Sequence, residues 1–426
     1  MESERCRIAL VVANCTFAIA LMFAPGTVKT RPVKTRPVNT RPQTDDLSAR
    51  ARNLHFSSIV VDTHADTTQR LIDGDFDLAT RDPKGSVDIP RMKDGGVDAI
   101  FFSIWIPSRT TGPIAVKRAT QQIQAVRDQV RKHPADLVLA TTAAEVRDIR
   151  EQKKIAVLLG VEGGHMINSD LDVLRQYFAL GVRYMTLTHS GNSEWADSST
   201  ARPAHNGLSP FGRNVIREMN RLGMMVDVSH VSDKTFRDVL AVSKAPVIAS
   251  HSNCRALCDH PRNMSDAMIR ELAAKGGVIQ INFHVGFLSQ EFRNAERADP
   301  KINEAIAIEV HKRCGDKEGC QLIEGDRITR EYVEQGKLPR VDWSKIIDHI
   351  DHAVKVAGID HVGLGSDFDG ANMPFGMEDA SELPKITEAL LRKGYTEGDV
   401  KKVLGENTLR LMDDVQHVSR ELKAAN

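Results

Sequence analysis

The chain has 426 residues, 41% hydrophobic and 27% charged, with 57 lysines and arginines against 57 aspartates and glutamates. That composition excludes disordered and collagen-like chains, the zero net charge argues against a general nucleic-acid binder, and only 6 cysteines exclude a disulfide scaffold. The zero is a sum of unlike parts: residues 1–44 carry seven basic and two acidic residues, net +5, leaving 50 against 55, net −5, in residues 45–426.

Residues 8–24, IALVVANCTFAIALMFA, run seventeen residues without a charge behind Arg5 and Arg7. That length suits a signal-peptide core and falls short of the roughly 20 residues of a comfortable membrane span. Residues 1–24 are therefore expected to be a signal peptide or an uncleaved membrane anchor, which makes the protein an exported one, periplasmic or secreted. Residues 25–44 contain VKTRPVKTRPVNTRP, with proline at every fifth position from 32 to 42. Proline removes donors and favours extended chain, so this is a semi-rigid cationic linker, and a basic run beside an apolar leader offers a contact to anionic lipid.

From residue 45 onward, apolar β-branched runs recur: 57–64, 97–105, 155–163, 182–190, 223–230, 245–251, 277–284 and 360–370. Near-continuous apolar runs are what parallel strands covered on both faces require. Segments of helical period lie between them, among them 115–133, 212–223 and 342–358. Eight strands alternating with helices predict an α/β fold, a TIM-like (βα)8 barrel over 45–426. The longest departure is a charged stretch, 285–340, expected as a helical insertion over the barrel mouth. It holds Cys314 and Cys320, which in an exported protein would close a small disulfide loop.

Nearly every run ends in an ionisable residue: His64 and Asp66, Glu162, His189, His230, His251, Asp367. In a barrel these ends converge on the C-terminal mouth, where active sites are built. His64 and Asp66 share a face of one strand, and imidazole beside carboxylate suits zinc or a similar divalent ion. Glu162, His230 and His251 arrive from other strands. Five such donors serve two metal ions if one carboxylate bridges, and a shared water is then acidic near neutral pH. His165, His205, His260 and His284 lie near the same segments, as do Trp195 and Asp197; His55, His133, His311, His349, His352, His361 and His417 read as surface or helix residues.

Over roughly residues 50–415 the chain resembles the renal (membrane) dipeptidase family of dizinc peptidases. The resemblance rests on HAD (64–66), EGGH (162–165), LTHSGNSEWADS (187–198), the segment 207–232 ending in DVSHVS, SHSNCRALCDHPRN (250–263), GSDFDG (365–370) and LGENTLRL (404–411). It implies two Zn2+ per chain, with His64 and Asp66 on one, His230 and His251 on the other, and Glu162 bridging. His189 would stabilise the oxyanion and Arg262 pair with the substrate's terminal carboxylate. Asp367 would hold the metal-bridging hydroxide and relay a proton to the leaving amine, with Asp369 as the neighbouring alternative. The implied substrate is a small dipeptide with a free C-terminal carboxylate, D-residues being tolerated there, and the implied assembly is a homodimer. Two other readings compete: a metal-dependent amidohydrolase acting on a cyclic amide or ester, and a non-catalytic barrel that captures metal or peptide.

Overall fold

A computed structural model of the chain describes residues 43–74 and 76–425. The expected leader and most of the linker lie outside these residues. Among the described residues no helix is long and apolar enough to cross a membrane.

Nine strands follow in chain order: β1 Val61–Ala65, β2 Ala99–Trp105, β3 Leu137–Leu139, β4 Ile155–Glu162, β5 Val182–Thr186, β6 Met225–Asp227, β7 Ile248–Ser252, β8 Val278–Ile281 and β9 Val362–Leu364. All pairings between them are parallel. β1 pairs with β2 and β9, β2 pairs with β4, and the order then runs β4 to β9, so eight strands close a barrel. Each of the eight apolar runs contributes one of its staves. β3 is the exception to the sequence reading. It extends the sheet beside the first residues of β4, Leu137 opposite Ile155, while β5 takes over that edge from Leu159.

The expected helices are present as Gly112–Lys132, Pro210–Leu222 and Ser344–Ala357. Pro210–Leu222 shows why such segments are helical. Ser209 caps it by accepting from the Gly212 N–H, proline occupies its first position, and Gly223 ends it in a left-handed conformation. Every residue of β1, β4 and β7 is buried, as strands sandwiched between barrel interior and helix layer must be. Inside, Val61, Phe101, Leu158, Tyr184 and Ile248 form one cluster with Leu409, Leu411 and Met412 of the C-terminal helix Asn407–Ala424. That helix packs against the end of the barrel remote from the mouth. Tyr184 reaches the barrel axis because Gly160 faces it: a Cβ there would collide with the phenol ring.

Between β8 and helix Ser344–Ala357 the chain passes through helices Val285–Leu288, Gln290–Ala298, Pro300–Cys314 and Glu318–Glu334. Cys314 and Cys320 are disulfide-bonded, with Cα atoms 5.5 Å apart. The loop they close is docked on the segment after β1, where the Cys320 N–H donates to Asp73 Oδ2 at 3.2 Å.

His349 and His55 are helix residues but not surface ones, both being fully buried. His349 Nε2 donates to the Leu288 carbonyl at 3.1 Å, while Nδ1 accepts from the Cys254 N–H at 3.1 Å. One ring thus ties the insertion's first helix to the loop after β7. Burial pushes the His349 imidazole down from 6.5 to about 4. A depressed folded-state value means that the unfolded chain binds the proton more tightly. The stabilisation is complete above pH 6.5 and is lost as pH falls toward 4, about 2 kcal/mol of it by pH 5. His349→Gln is expected to flatten the fall in urea stability between pH 7.5 and pH 5 by that amount. Parallel pH profiles for variant and parent would contradict this.

Candidate metal centre

The donors are delivered by the ends of the staves. His64 lies in β1 and Asp66 just past it, Glu162 ends β4, and His251 lies in β7. His189, His230 and Asp367 each follow the last residue of β5, β6 and β9 by three positions. The register of β1 against β2 shifts between Asp62 and Ala65, the interval containing His64, and such irregularities re-aim side chains.

At the mouth these residues meet around Glu162. Its Oε2 lies 3.4 Å from His64 Nε2, which is itself 3.6 Å from Asp66 Oδ1. Its Oε1 lies 2.9 Å from His230 Nε2 and 3.2 Å from His251 Nε2. Each carboxylate oxygen therefore faces a different pair of donors. The His230 and His251 Nε2 atoms are 2.9 Å apart.

The remaining predicted residues border the same cleft of about 180 Å3, together with Trp105, His284, Phe287, Leu322 and Gly370. His189 Nε2 is 3.9 Å from Glu162 Oε1, its ring 5.5 Å from Trp105. Asp367 Oδ1 lies 3.8 Å from His64 Nε2, while its Oδ2 accepts from Asn282 Nδ2 at 2.8 Å. Arg262 is only 5% exposed; one Nη donates to the His251 carbonyl at 3.2 Å, and Nε and the other Nη are buried without a partner among the described residues. A larger hollow of about 480 Å3, lined by Arg70, Asp73 and Cys320, contains none of these donors.

Residues 48–426 match the family model described as membrane dipeptidase (Peptidase family M19). The chain belongs to the membrane dipeptidase family of metallopeptidases. It is 35% identical over 348 residues to Dipeptidase verJ of Clonostachys rogersoniana, covering 79% of this chain and 77% of that one. Among solved structures it is similar to the probable dipeptidase PvdM of Pseudomonas aeruginosa, with 27% identity, TM-score 0.71 and 88% and 99% of the two chains covered. It is also similar to a metallopeptidase of Rhodobacter sphaeroides liganded with a phosphinate mimic of the dipeptide L-Ala-D-Ala: 26% identity, TM-score 0.68, coverage 84% and 99%.

As a member of this family the dipeptidase is metal-dependent, and its donor set fits a divalent cation. Among the described residues His64 Nε2 and Asp66 Oδ1 are buried with no hydrogen-bond partner, and an unsatisfied buried polar atom costs roughly 1–3 kcal/mol. His64, Asp66 and Glu162 offer one atom each within 4.8 Å of one another, as do Glu162, His189 and His230, and His64, His251 and Asp367. Burial pushes the Asp66 carboxyl up to about 8, opposed by His64 and reinforced by Glu162 and Asp367. A cation held by these groups would reverse that balance and keep the carboxylate ionised.

Groups behind the donors set their tautomers. His64 Nδ1 meets the Tyr184 hydroxyl at 2.8 Å, and that hydroxyl donates to the Thr63 carbonyl at 3.1 Å. The proton is thereby assigned to Nδ1, which leaves the Nε2 lone pair facing the cleft. On the other side the Ser250 hydroxyl donates to Asp227 Oδ2 at 2.6 Å and so accepts from His251 Nδ1 at 2.9 Å. Ser103 Oγ donates to Glu162 Oε2 at 3.1 Å. Asp62, pushed up to about 6 by burial, accepts from the His64 and Ser366 N–H groups and the Ser366 hydroxyl. The sequence reading missed Ser103, Tyr184, Asp227, Asn282 and Asp62. Only Asp62 and Asp227 left a trace: each is a lone acid inside an apolar run, in VVDTH and MVDVSH, just ahead of a donor histidine.

Other candidates separate cleanly. Asp369 is saturated by Arg70 Nη1 at 3.0 Å, Thr67 Oγ1 at 2.7 Å and the Ser86 N–H at 2.6 Å, so it anchors loops. Trp195 is buried packing, and Asp197 accepts from the Ala204, His205 and Gly207 N–H groups. His205 Nε2 pairs with the Ser193 carbonyl, and His260 Nδ1 accepts from the Arg262 N–H. His284 does border the cleft. Both His230 and Asp367 have φ of 67°, a left-handed conformation that costs a non-glycine residue about 1–3 kcal/mol and clusters at functional sites.

Proposed function

We propose that this family member is a zinc-dependent dipeptidase that hydrolyses dipeptides with a free C-terminal carboxylate and accepts a D-residue at that position. One observation carries the reading. A carboxylate with one oxygen toward each of two donor pairs shares a small cleft with a buried guanidinium that has N–H donors to spare. The relative holding an L-Ala-D-Ala mimic supports the D-residue.

His64 and Asp66 would hold one zinc ion, His230 and His251 a second, and Glu162 would serve both. When bound, the ions polarise the scissile carbonyl and lower the pKa of water toward neutrality. Arg262 receives the terminal carboxylate on two N–H donors, which fixes where the carbonyl lies. His189, beside that position, donates from Nε2 to the developing oxyanion. Asp367 takes the proton of the attacking water and returns it to the leaving amine. Residues 45–426 form the catalytic unit, and residues 1–24 and 25–44 an export leader or anchor and its spacer.

The test is a dipeptide panel on purified zinc-loaded protein, varying chirality at the second residue and blocking the carboxylate as an amide. Chelator-sensitive cleavage of L-Xaa–D-Xaa substrates is expected, with the amides poor; tight peptide binding without hydrolysis would sink the proposal. Arg262→Ala is expected to lower kcat/KM about 100-fold, mostly through KM, for free carboxylates and hardly at all for amides. If the variant kept the preference for a free carboxylate, the role given to Arg262 would be wrong.

A further inference from the structure

Trp105, His189 and Leu322 each line two hollows. One is the catalytic cleft; the other, of about 260 Å3, is also lined by Pro107, Ser108, Arg109 and Ser190 and by the insertion residues Glu318 and Gln321. Arg262 and Phe287 border only the first. A dipeptide whose carboxylate sits on Arg262 and whose carbonyl lies at Glu162 has one residue left to place. The wall shared by Trp105, His189 and Leu322 is where that amino-terminal residue arrives, and the second hollow is where its side chain extends.

The hollow is lined by one guanidinium, Arg109, and one carboxylate, Glu318, and the two are paired differently. Arg109 is exposed and, among the described residues, has no carboxylate in ion-pair range. Glu318, the acid that lines the hollow, lies 3.9 Å from Arg118 Nη2 instead. Arg118 lies outside the lining and engages Glu318 from behind, so Arg109 is the guanidinium that faces the hollow. Leu322 and Glu318 are held in place by their helix, Glu318–Glu334, whose first turn contains the disulfide-bonded Cys320. The apolar Trp105 and Leu322 favour a side chain with a methylene stem, and Arg109 favours an anionic tip.

We propose that the second hollow selects the amino-side residue of the substrate, and that Arg109 makes a long acidic side chain the preferred one. This rests on the dipeptidase reading above and adds to it a specificity-determining residue outside the metal centre.

The experiment compares kcat and KM for L-Glu–D-Ala, L-Lys–D-Ala and L-Ala–D-Ala in the parent and in Arg109→Ala and Arg109→Glu. The parent is expected to favour L-Glu–D-Ala over L-Lys–D-Ala by about fivefold or more in kcat/KM, the difference lying in KM, as suits a solvent-accessible ion pair. Arg109→Ala should abolish the preference and Arg109→Glu reverse it, while L-Ala–D-Ala changes less than about twofold. A merely structural role for Arg109 would move all three substrates together, and that result overturns the proposal. So does a parent that cleaves L-Ala–D-Ala without preferring glutamate to lysine. Failure to cleave any dipeptide overturns the dipeptidase reading itself, and this inference with it.

Discussion

Replacing Glu162 with alanine is expected to lower kcat/KM by on the order of 10⁴-fold and to leave the purified protein with little bound metal. The reason is that both halves of the centre depend on one side chain. Oε2 is 3.4 Å from His64 Nε2, and Oε1 is 2.9 and 3.2 Å from the two other imidazoles. Removing it leaves the His230 and His251 Nε2 atoms 2.9 Å apart with no anionic oxygen between them and any cation. It also leaves the Ser103 hydroxyl without its acceptor. Glu162→Gln is the sharper variant, since it keeps the volume and removes the charge. Metal analysis after dialysis, alongside dipeptide kinetics, measures both consequences. Full metal loading with less than about tenfold loss of activity would show that Glu162 does not hold the centre together.

Asp367→Asn should be the second most damaging change, lowering kcat by about 10²–10³-fold while metal content stays near that of the parent. Its two oxygens have different tasks. Oδ2 is pinned by Asn282, and Oδ1 looks toward His64 Nε2 at 3.8 Å. Burial works to raise the carboxyl, but His251 and His64 together hold it below its ordinary value, which keeps it ionised. Asparagine keeps the shape and cannot take up the proton. The comparison that decides between neighbours is Asp369→Asn, which should weaken stability through Arg70 and Ser86 and leave the pH dependence of kcat in place. If Asp369→Asn abolished the acidic limb of the profile and Asp367→Asn did not, the two roles would be exchanged.

Much of the fold was legible because parallel strands buried on both faces must be apolar along their whole length. The runs at 155–163 and 245–251 could hardly be anything else, and the structure makes them β4 and β7. Boundaries were less legible. The first run, 57–64, is in fact the end of helix Gln43–Ser57 followed by β1 from Val61. Hydrophobicity marks what is buried, whereas hydrogen bonding decides which buried residues are strand. β3 escaped notice for a related reason: its pairing is set by β4 and β5 leaving an edge free near Ile155, a fact no local pattern carries.

The centre divides in the same way. Sequence by itself singled out the candidate site residues. His64, Asp66, Glu162, His189, His230, His251 and Asp367 all stand at the ends of apolar runs, where an uncompensated charge or imidazole is costly and a shared cation removes the cost. What only the tertiary structure decided is how those donors are aimed and what else can enter. Tyr184 from β5 sets the tautomer of His64 on β1, Asn282 beyond β8 orients Asp367 beyond β9, and Leu322 brings an insertion helix to the wall of the cleft. Each of these contacts joins residues far apart in the chain, and none has a sequence period. The composition of a metal site follows from chemistry that each strand end carries alone, whereas its orientation and selectivity come from contacts that exist only once the barrel has closed.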